Sequence, residues 1–209
     1  MSANQTSQSP HRQRNRERMI EDILDTSRAI MQENGVAALS MHELARRLGI
    51  KPPSLYNYFS GLMEIYDSLF QLGFTLWSQH LEEYTQKAAT WQDEIRMSME
   101  AYMTFAIKNP DLYQLCFERP IPEFVPSKES LELSFGILEN LYSKIGKLKE
   151  DLQTDLPAEQ LADLVIAFSH GLTALHMANQ PELPLGQGRF GALIPAALSV
   201  LSKAWSQPT

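Results

Sequence analysis

Gly49 is the residue that most constrains how this chain can fold. It separates two short stretches, each of which reads as a helix. Ser40-Met41-His42-Glu43 opens the first as a capping box, in which the Ser hydroxyl accepts from a free backbone N–H and Glu43 reaches back reciprocally. Leu44, Ala45 and Leu48 form its inward face, and Gly49 ends it because glycine readily takes the left-handed conformation that stops helices. Pro52-Pro53 suits the start of the second, since a first-turn proline forfeits no hydrogen bond. That helix is expected to run to about Phe59, with Leu55, Phe59 and part of Tyr56 facing inward.

A third helix lies upstream. Met19, Ile20, Ile23, Leu24, Ala29, Ile30 and Met31 recur at spacings near three and four, which predicts an amphipathic helix from about Arg12 to Asn34, ended by Gly35. Residues 1–11 are rich in Ser, Gln, Asn and Pro without periodicity and are expected to form a disordered leader rather than a secretory signal. Three helices with a tight glycine turn between the last two make a helix-turn-helix module, expected over residues 12–60. In such modules the second helix of the pair enters the DNA major groove.

The charge distribution agrees with that reading. The net charge is −7, which argues against indiscriminate coating of nucleic acid. Yet the first 60 residues carry Arg12, Arg14, Arg16, Arg18, Arg28, Arg46, Arg47 and Lys51 against Glu17, Glu21, Asp22, Asp25, Glu33 and Glu43, so the acidic excess lies wholly downstream. A compact basic module on an acidic body is one reading. A solvated basic tail is the other.

Downstream the helical period continues through Leu62–Lys87, Thr90–Lys108, Asp111–Phe117, Ser127–Lys149, Ala158–Met177 and Phe190–Ser202. Three prolines in the segment Arg119–Pro126 make it a loop, as does the composition of Pro181–Gly188. No alternating strand pattern or internal repeat interrupts this, so the fold class is all-α, with about nine helices, residues 61–209 forming a second domain. No run of 18 apolar residues appears, so no membrane span is expected. Phosphate loop, nucleophile elbow and metal-ligand spacing are all missing. The single cysteine, Cys116, reads as a small core residue. No enzyme activity, cofactor or metal is therefore expected, and a cytoplasmic location fits.

The stretch from Asn34-Gly35 through Ser40-Met41-His42-Glu43-Leu44-Ala45 and Leu48-Gly49-Ile50 to Leu55-Tyr56-Asn57-Tyr58-Phe59 resembles the signature of the TetR family of transcriptional regulators. The resemblance implies a sequence-specific DNA-binding repressor, released from a palindromic operator on double-stranded DNA by a small molecule. An activator or a ligand-independent regulator is the alternative; a helical small-molecule-binding protein or enzyme is a more distant one. It also implies that Ser40 and Tyr58 contact phosphates, and that His42, Lys51, Pro52, Pro53, Ser54, Tyr56 and Asn57 approach bases or the sugar-phosphate. Asn pairs with adenine, Ser with either edge, and Pro or Tyr rings lie on thymine methyls. Tyr56 could equally pack against the first helix, and His42 could be merely exposed. Arg12, Arg14, Arg16 and Arg18 would supply salt-sensitive phosphate affinity. One departure stands out: the family usually has Lys at the start of helix 4, where this chain has Leu62.

Tyr102, Phe105-Ala106, Asn109-Pro110-Asp111-Leu112-Tyr113 and Ala167-Phe168-Ser169-His170-Gly171-Leu172 resemble the TetR subclass named for a Trp-His-Gly motif, of which only His170-Gly171 survives here. The resemblance implies a homodimer through about 158–177 and 190–202, where Ala167, Ser169, Gly171, Ala174, Gly191, Ala192, Ala196, Ala197 and Ser199 would permit close approach. These small residues could instead ease packing within the chain. An apolar effector is expected among Trp77, Tyr102, Met103, Phe105, Phe117, Phe168 and His170, although each also suits a plain core position.

Overall fold

The structure is a computed structural model that describes residues 10–149 and 152–205. No strand occurs among them. The helices are α1 (Pro10–Asn34), α2 (Met41–Leu48), α3 (Pro52–Leu55), α4 (Leu62–Thr85), α5 (Trp91–Lys108), α6 (Pro110–Tyr113), α7 (Lys128–Leu148), α8 (Ala158–Asn179), α9 (Gly188–Gly191) and α10 (Ile194–Trp205). The expected final helix is broken near Ala192–Leu193; with α9 and α10 counted together, the nine-helix architecture holds among the described residues. A π-helical turn, Gln114–Glu118, continues α6.

Most of the expected leader, residues 1–9, lies outside the described residues, but α1 already begins at Pro10. α3 is a single turn rather than a helix reaching Phe59. Beyond it the backbone closes through Tyr58 N–H to Leu55 O at 2.9 Å and Phe59 N–H to Leu55 O at 3.0 Å. Gly49 behaves as its position demands, with φ 67° and ψ 23°. Ile50 N–H returns to Ala45 O at 3.0 Å, the six-residue closure that satisfies a helix-end carbonyl. The capping box is only half formed. Ser40 accepts from Glu43 N–H at 3.2 Å, while the Glu43 carboxylate turns to Arg46 and Arg47 at 2.7 and 2.9 Å.

One hydrophobic core runs without a break from Ile23, Ile30, Leu44 and Leu55 through Ile65 and Leu69 of α4 to Phe105 and Leu112. The N-terminal helices and the body thus share buried surface across residue 60. A second core holds Trp91, Ile95, Met99 and Met103 against Leu161, Val165, Leu201 and Trp205. Two polar links reinforce the first junction. Tyr66 of α4 donates to Val36 O at 2.7 Å, and burial pushes its phenol up to about 12. Asp111, at the start of α6, is fully buried as a side chain and accepts from Arg28 Nε at 2.8 Å. Gln32 Nε2 donates to the same carboxylate at 2.9 Å, and Arg28 also holds Asn109 Oδ1 at 2.9 Å.

α4 and α6 approach closely at Gly73, where a Cβ would stand 3.5 Å from Leu112 Cβ and far inside contact distance of Cys116 Sγ. Gly73→Ala is expected to cost about 1–3 kcal/mol through overpacking. Adding Cys116→Ala should return most of that loss, because the two side chains share one space. Chemical denaturation of both single variants and the double variant measures this.

By length and composition alone α8 is apolar enough to cross a membrane, as the core helix of a soluble protein also can be. Its composition has a local explanation in two apolar faces. Leu161, Ala162 and Val165 are buried in the chain, while Leu164, Ile166 and Leu175 are exposed.

Candidate nucleic-acid interface and interior cavity

The local sequence around α2 and α3 determines which groups face outward. Leu44, Ala45, Leu55 and Phe59 are buried, and they pin the two elements against α1 and α4. That leaves His42, Lys51, Pro52, Pro53 and Asn57 exposed, and Ser40, Ser54 and Tyr58 half-buried. Tyr56 is 57% exposed, so it is directed away from α1. None of the nine residues singled out in the sequence is buried.

Of the four N-terminal arginines, Arg12, Arg14 and Arg18 are exposed on α1. Arg16 differs. It donates to Asn57 O at 2.7 Å, and its guanidinium lies 5.4 Å from the centre of the Tyr58 ring, a cation–π distance. A cleft of about 310 Å³ opens between Arg12, Asn15, Arg16, Asn57 and Tyr58. No local sequence signal marks Arg16 as the residue that holds the outer turn in place. Arg47 also serves structure, joining Glu33 of α1 at 2.7 Å and Glu43 at 2.9 Å. Hydrogen bonds from Arg46 and Arg47 hold the Glu43 carboxyl down to about 2.

At the start of α4, Leu62 packs against the core, and the Glu64 carboxylate accepts from Ser60 N–H. A carboxylate of the chain itself thus stands in the first turn, where it favours the positive end of the helix dipole.

A cavity of about 450 Å³ lies inside the body domain. α4 contributes Phe74, Trp77 and Leu81, α5 contributes Ser98 and Tyr102, and the π-helical turn contributes Phe117. α7 presents Ser134, Phe135, Ile137, Leu138 and Leu141, and α8 presents Val165, Ile166, Ser169 and His170. Four residues singled out in the sequence therefore meet here: Trp77, Tyr102, Phe117 and His170. Met103, Phe105 and Phe168 do not. Met103 is fully buried in the second core, Phe105 in the first, and Phe168 packs against the second. The α7 wall was missed, although Ser134, Leu138 and Leu141 share a helical face by their spacing alone.

Tyr102 Oη and His170 Nδ1 are hydrogen-bonded at 2.9 Å. Burial pushes the Tyr102 phenol well above its ordinary range, with the charge of Glu118 acting in the same direction. The Tyr113 ring packs behind the pair, 5.9 Å from Tyr102 and 6.1 Å from His170. Burial raises Tyr113 too, and Glu118 adds to the rise, yet its hydroxyl has no hydrogen bond of good geometry. Cys116 is buried against α4 and its thiol is pushed up by burial, consistent with a core residue. No group of three metal-ligating side chains occurs among the described residues.

A tight glycine turn between α2 and α3, an outward polar edge on α3, and a hollow helical body together make a helix-turn-helix arrangement joined to a cavity-bearing helical body. Residues 23–68 match the bacterial regulatory proteins of the tetR family. The chain is 34% identical over 94 residues to the uncharacterized HTH-type transcriptional regulator YobS of Bacillus subtilis strain 168. That match covers 44% of this chain and 48% of YobS, about half the length of each. The fold is similar to the TetR family transcriptional regulator PfmR of Thermus thermophilus, with a TM-score of 0.67, 18% identity, and coverage of 87% of this chain and 97% of that one. It is likewise similar to the transcriptional regulator FadR of Bacillus subtilis in complex with stearoyl-CoA, with a TM-score of 0.64, 15% identity and coverage of 87% and 96%.

Proposed function

We propose that this protein is a cytoplasmic TetR-type repressor that binds a palindromic operator as a homodimer and is released by a small molecule in the interior cavity. The observation that carries the reading is the outward edge Lys51–Tyr58, held rigid by a buried core and by Arg16. Its groups are those that read base edges and phosphates. Leu62 and Glu64 remove positive charge from the start of α4, so phosphate affinity falls to Lys51 and to the exposed arginines of α1.

The dimer surface is supported by exposed apolar residues, Leu164 and Leu175 on α8, Val200 on α10 and Leu193 just before it. Ala167, Ala192, Ala196 and Ser199 are exposed as well. Ser169, Gly191 and Ala197 are buried within the chain and belong to its own packing. The Trp-His-Gly subclass is part of the same proposal. Both segments that carry the likeness have structural work here, His170 against Tyr102 and Asp111 against Arg28.

Release follows from where the cavity walls lead. Phe74, Trp77 and Leu81 stand on α4, whose first turns pack under α1 and α2. Phe117 stands one turn beyond α6, whose Asp111 grips α1. A ligand that fits one setting of these helices better than another shifts the spacing of the two recognition edges. Footprinting on the promoter nearest the protein's own coding sequence, with genome-wide fragment capture, tests the reading. Protection of a palindrome with half-sites one helical turn or a multiple apart is expected. Absence of protected palindromes at both scales overturns it.

A further inference from the structure

The cavity wall is almost wholly hydrocarbon and aromatic, and no Lys, Arg, Asp or Glu lines it. Two of its serines already donate to their own helices, Ser134 to Leu131 O at 2.9 Å and Ser169 to Val165 O at 2.7 Å. Its distinctive polar feature is the Tyr102–His170 pair. The chemistry left over at that pair does not depend on the histidine tautomer. If Tyr102 donates to Nδ1, then His170 keeps an Nε2–H donor and Tyr102 keeps an acceptor lone pair. If Nδ1–H donates instead, Tyr102 keeps its hydroxyl proton and Nε2 keeps its lone pair. Either way the pair retains one donor and one acceptor.

A ligand carboxylate or phosphate buried here would meet no cation, and the charge of Glu118, which adds to the effect of burial on both phenols, would oppose it. A cationic head would meet no carboxylate in the wall. Burying either charge unpaired is expensive. Along α4 the wall runs from Phe74 to Leu81, about 10 Å at the helical rise. Phe135 and Ile166, both exposed, stand where the cavity nears the surface.

We propose that the effector is an uncharged amphiphile, a medium-length or fused-ring hydrocarbon skeleton bearing one hydroxyl or carbonyl oxygen that bonds the Tyr102–His170 pair. This rests on the reading of the cavity as the effector site, and it separates this chain from a regulator built for an ionised acyl head.

Three probes with one skeleton test it by calorimetry on the full chain: 1-octanol, octanoate and octyltrimethylammonium. The alcohol is expected to bind at least ~10-fold more tightly than either ion, since each ion must be buried unpaired. Tyr102→Phe, which removes a hydroxyl but keeps the ring, should weaken the alcohol about fivefold, the loss of one hydrogen bond. It should leave the ions unchanged, with folding verified by helical circular dichroism. Ser134→Trp, which fills the cavity from α7, should abolish binding of all three. If octanoate or the ammonium ion binds as tightly as the alcohol, the uncharged class is wrong while the cavity stands as the site. If Ser134→Trp folds and leaves alcohol binding intact, or no probe binds, both the class and the cavity reading fall. If the alcohol binds as expected but operator affinity stays fixed, the class holds and ligand release is refuted.

Discussion

Asp111→Ala is expected to lower the unfolding free energy by about 3–5 kcal/mol, the cost of removing one partner of a buried ion pair. The carboxylate is completely enclosed, whereas the Arg28 side chain keeps 20% exposure. Truncation therefore strands the guanidinium, and it also leaves the Gln32 amide without its acceptor. Asp111→Asn keeps one acceptor oxygen and should cost about half as much, because charge-assisted bonds are roughly twice as strong as neutral ones. For a chain of 209 residues, a loss of about 3 kcal/mol lowers Tm by roughly 6–12 °C. Protomer concentration must be held fixed, since association adds to apparent stability. The double variant with Arg28→Ala should lose much less than the sum of the two singles.

The same substitution bears on signalling. Asp111 stands between the π-helical turn that carries Phe117 and the helix that carries the N-terminal arginines. If cavity occupancy is relayed through this joint as well as through α4, then Asp111→Asn should reduce the ratio of operator affinities without and with ligand. A change of about 0.5–2 kcal/mol is the usual scale for a residue on such a route. Equal ratios in both proteins would confine the relay to α4.

How much of this was legible in the sequence depended on the range of the signal. The turn between α2 and α3 was readable because its determinants are local: a serine cap, a glycine at positive φ and two prolines in a first turn. The extent of α3 was not readable, because one turn suffices once Leu55 and Phe59 are anchored elsewhere. The cavity was readable only in part, since its lining depends on helix rotation. Ser98 and Tyr102, four residues apart on α5, share the cavity side, whereas Met103 and Phe105 on the same helix turn into the two cores. Composition alone could not separate these aromatic and sulfur side chains. The Arg28–Asp111 joint spans 83 residues, beyond the reach of any periodicity. Its effect is visible only after α6 has been laid against α1.

The second large effect concerns reading rather than stability. Tyr56→Ala together with Asn57→Ala is expected to weaken operator binding by about 10- to 100-fold while leaving affinity for unrelated DNA nearly unchanged, because base-edge pairs each discriminate by about 1–3 kcal/mol. Both side chains are exposed, so folding stability should shift by no more than about 0.5 kcal/mol. Arg12→Ala with Arg18→Ala should give the opposite pattern. Both DNAs would be bound more weakly, and the salt dependence of binding would flatten by about one for each phosphate no longer neutralised. Arg16→Ala should behave like neither pair. Its guanidinium holds Asn57 O and covers the Tyr58 ring, so its removal frees the edge on which Asn57 sits and lowers selectivity with little change in salt slope. Binding of operator and unrelated duplexes across a salt series, by fluorescence anisotropy, separates the three patterns. If the Tyr56/Asn57 variant kept its preference for the operator, sequence would be read elsewhere on this surface, and α3 would serve only to place the phosphate-binding groups.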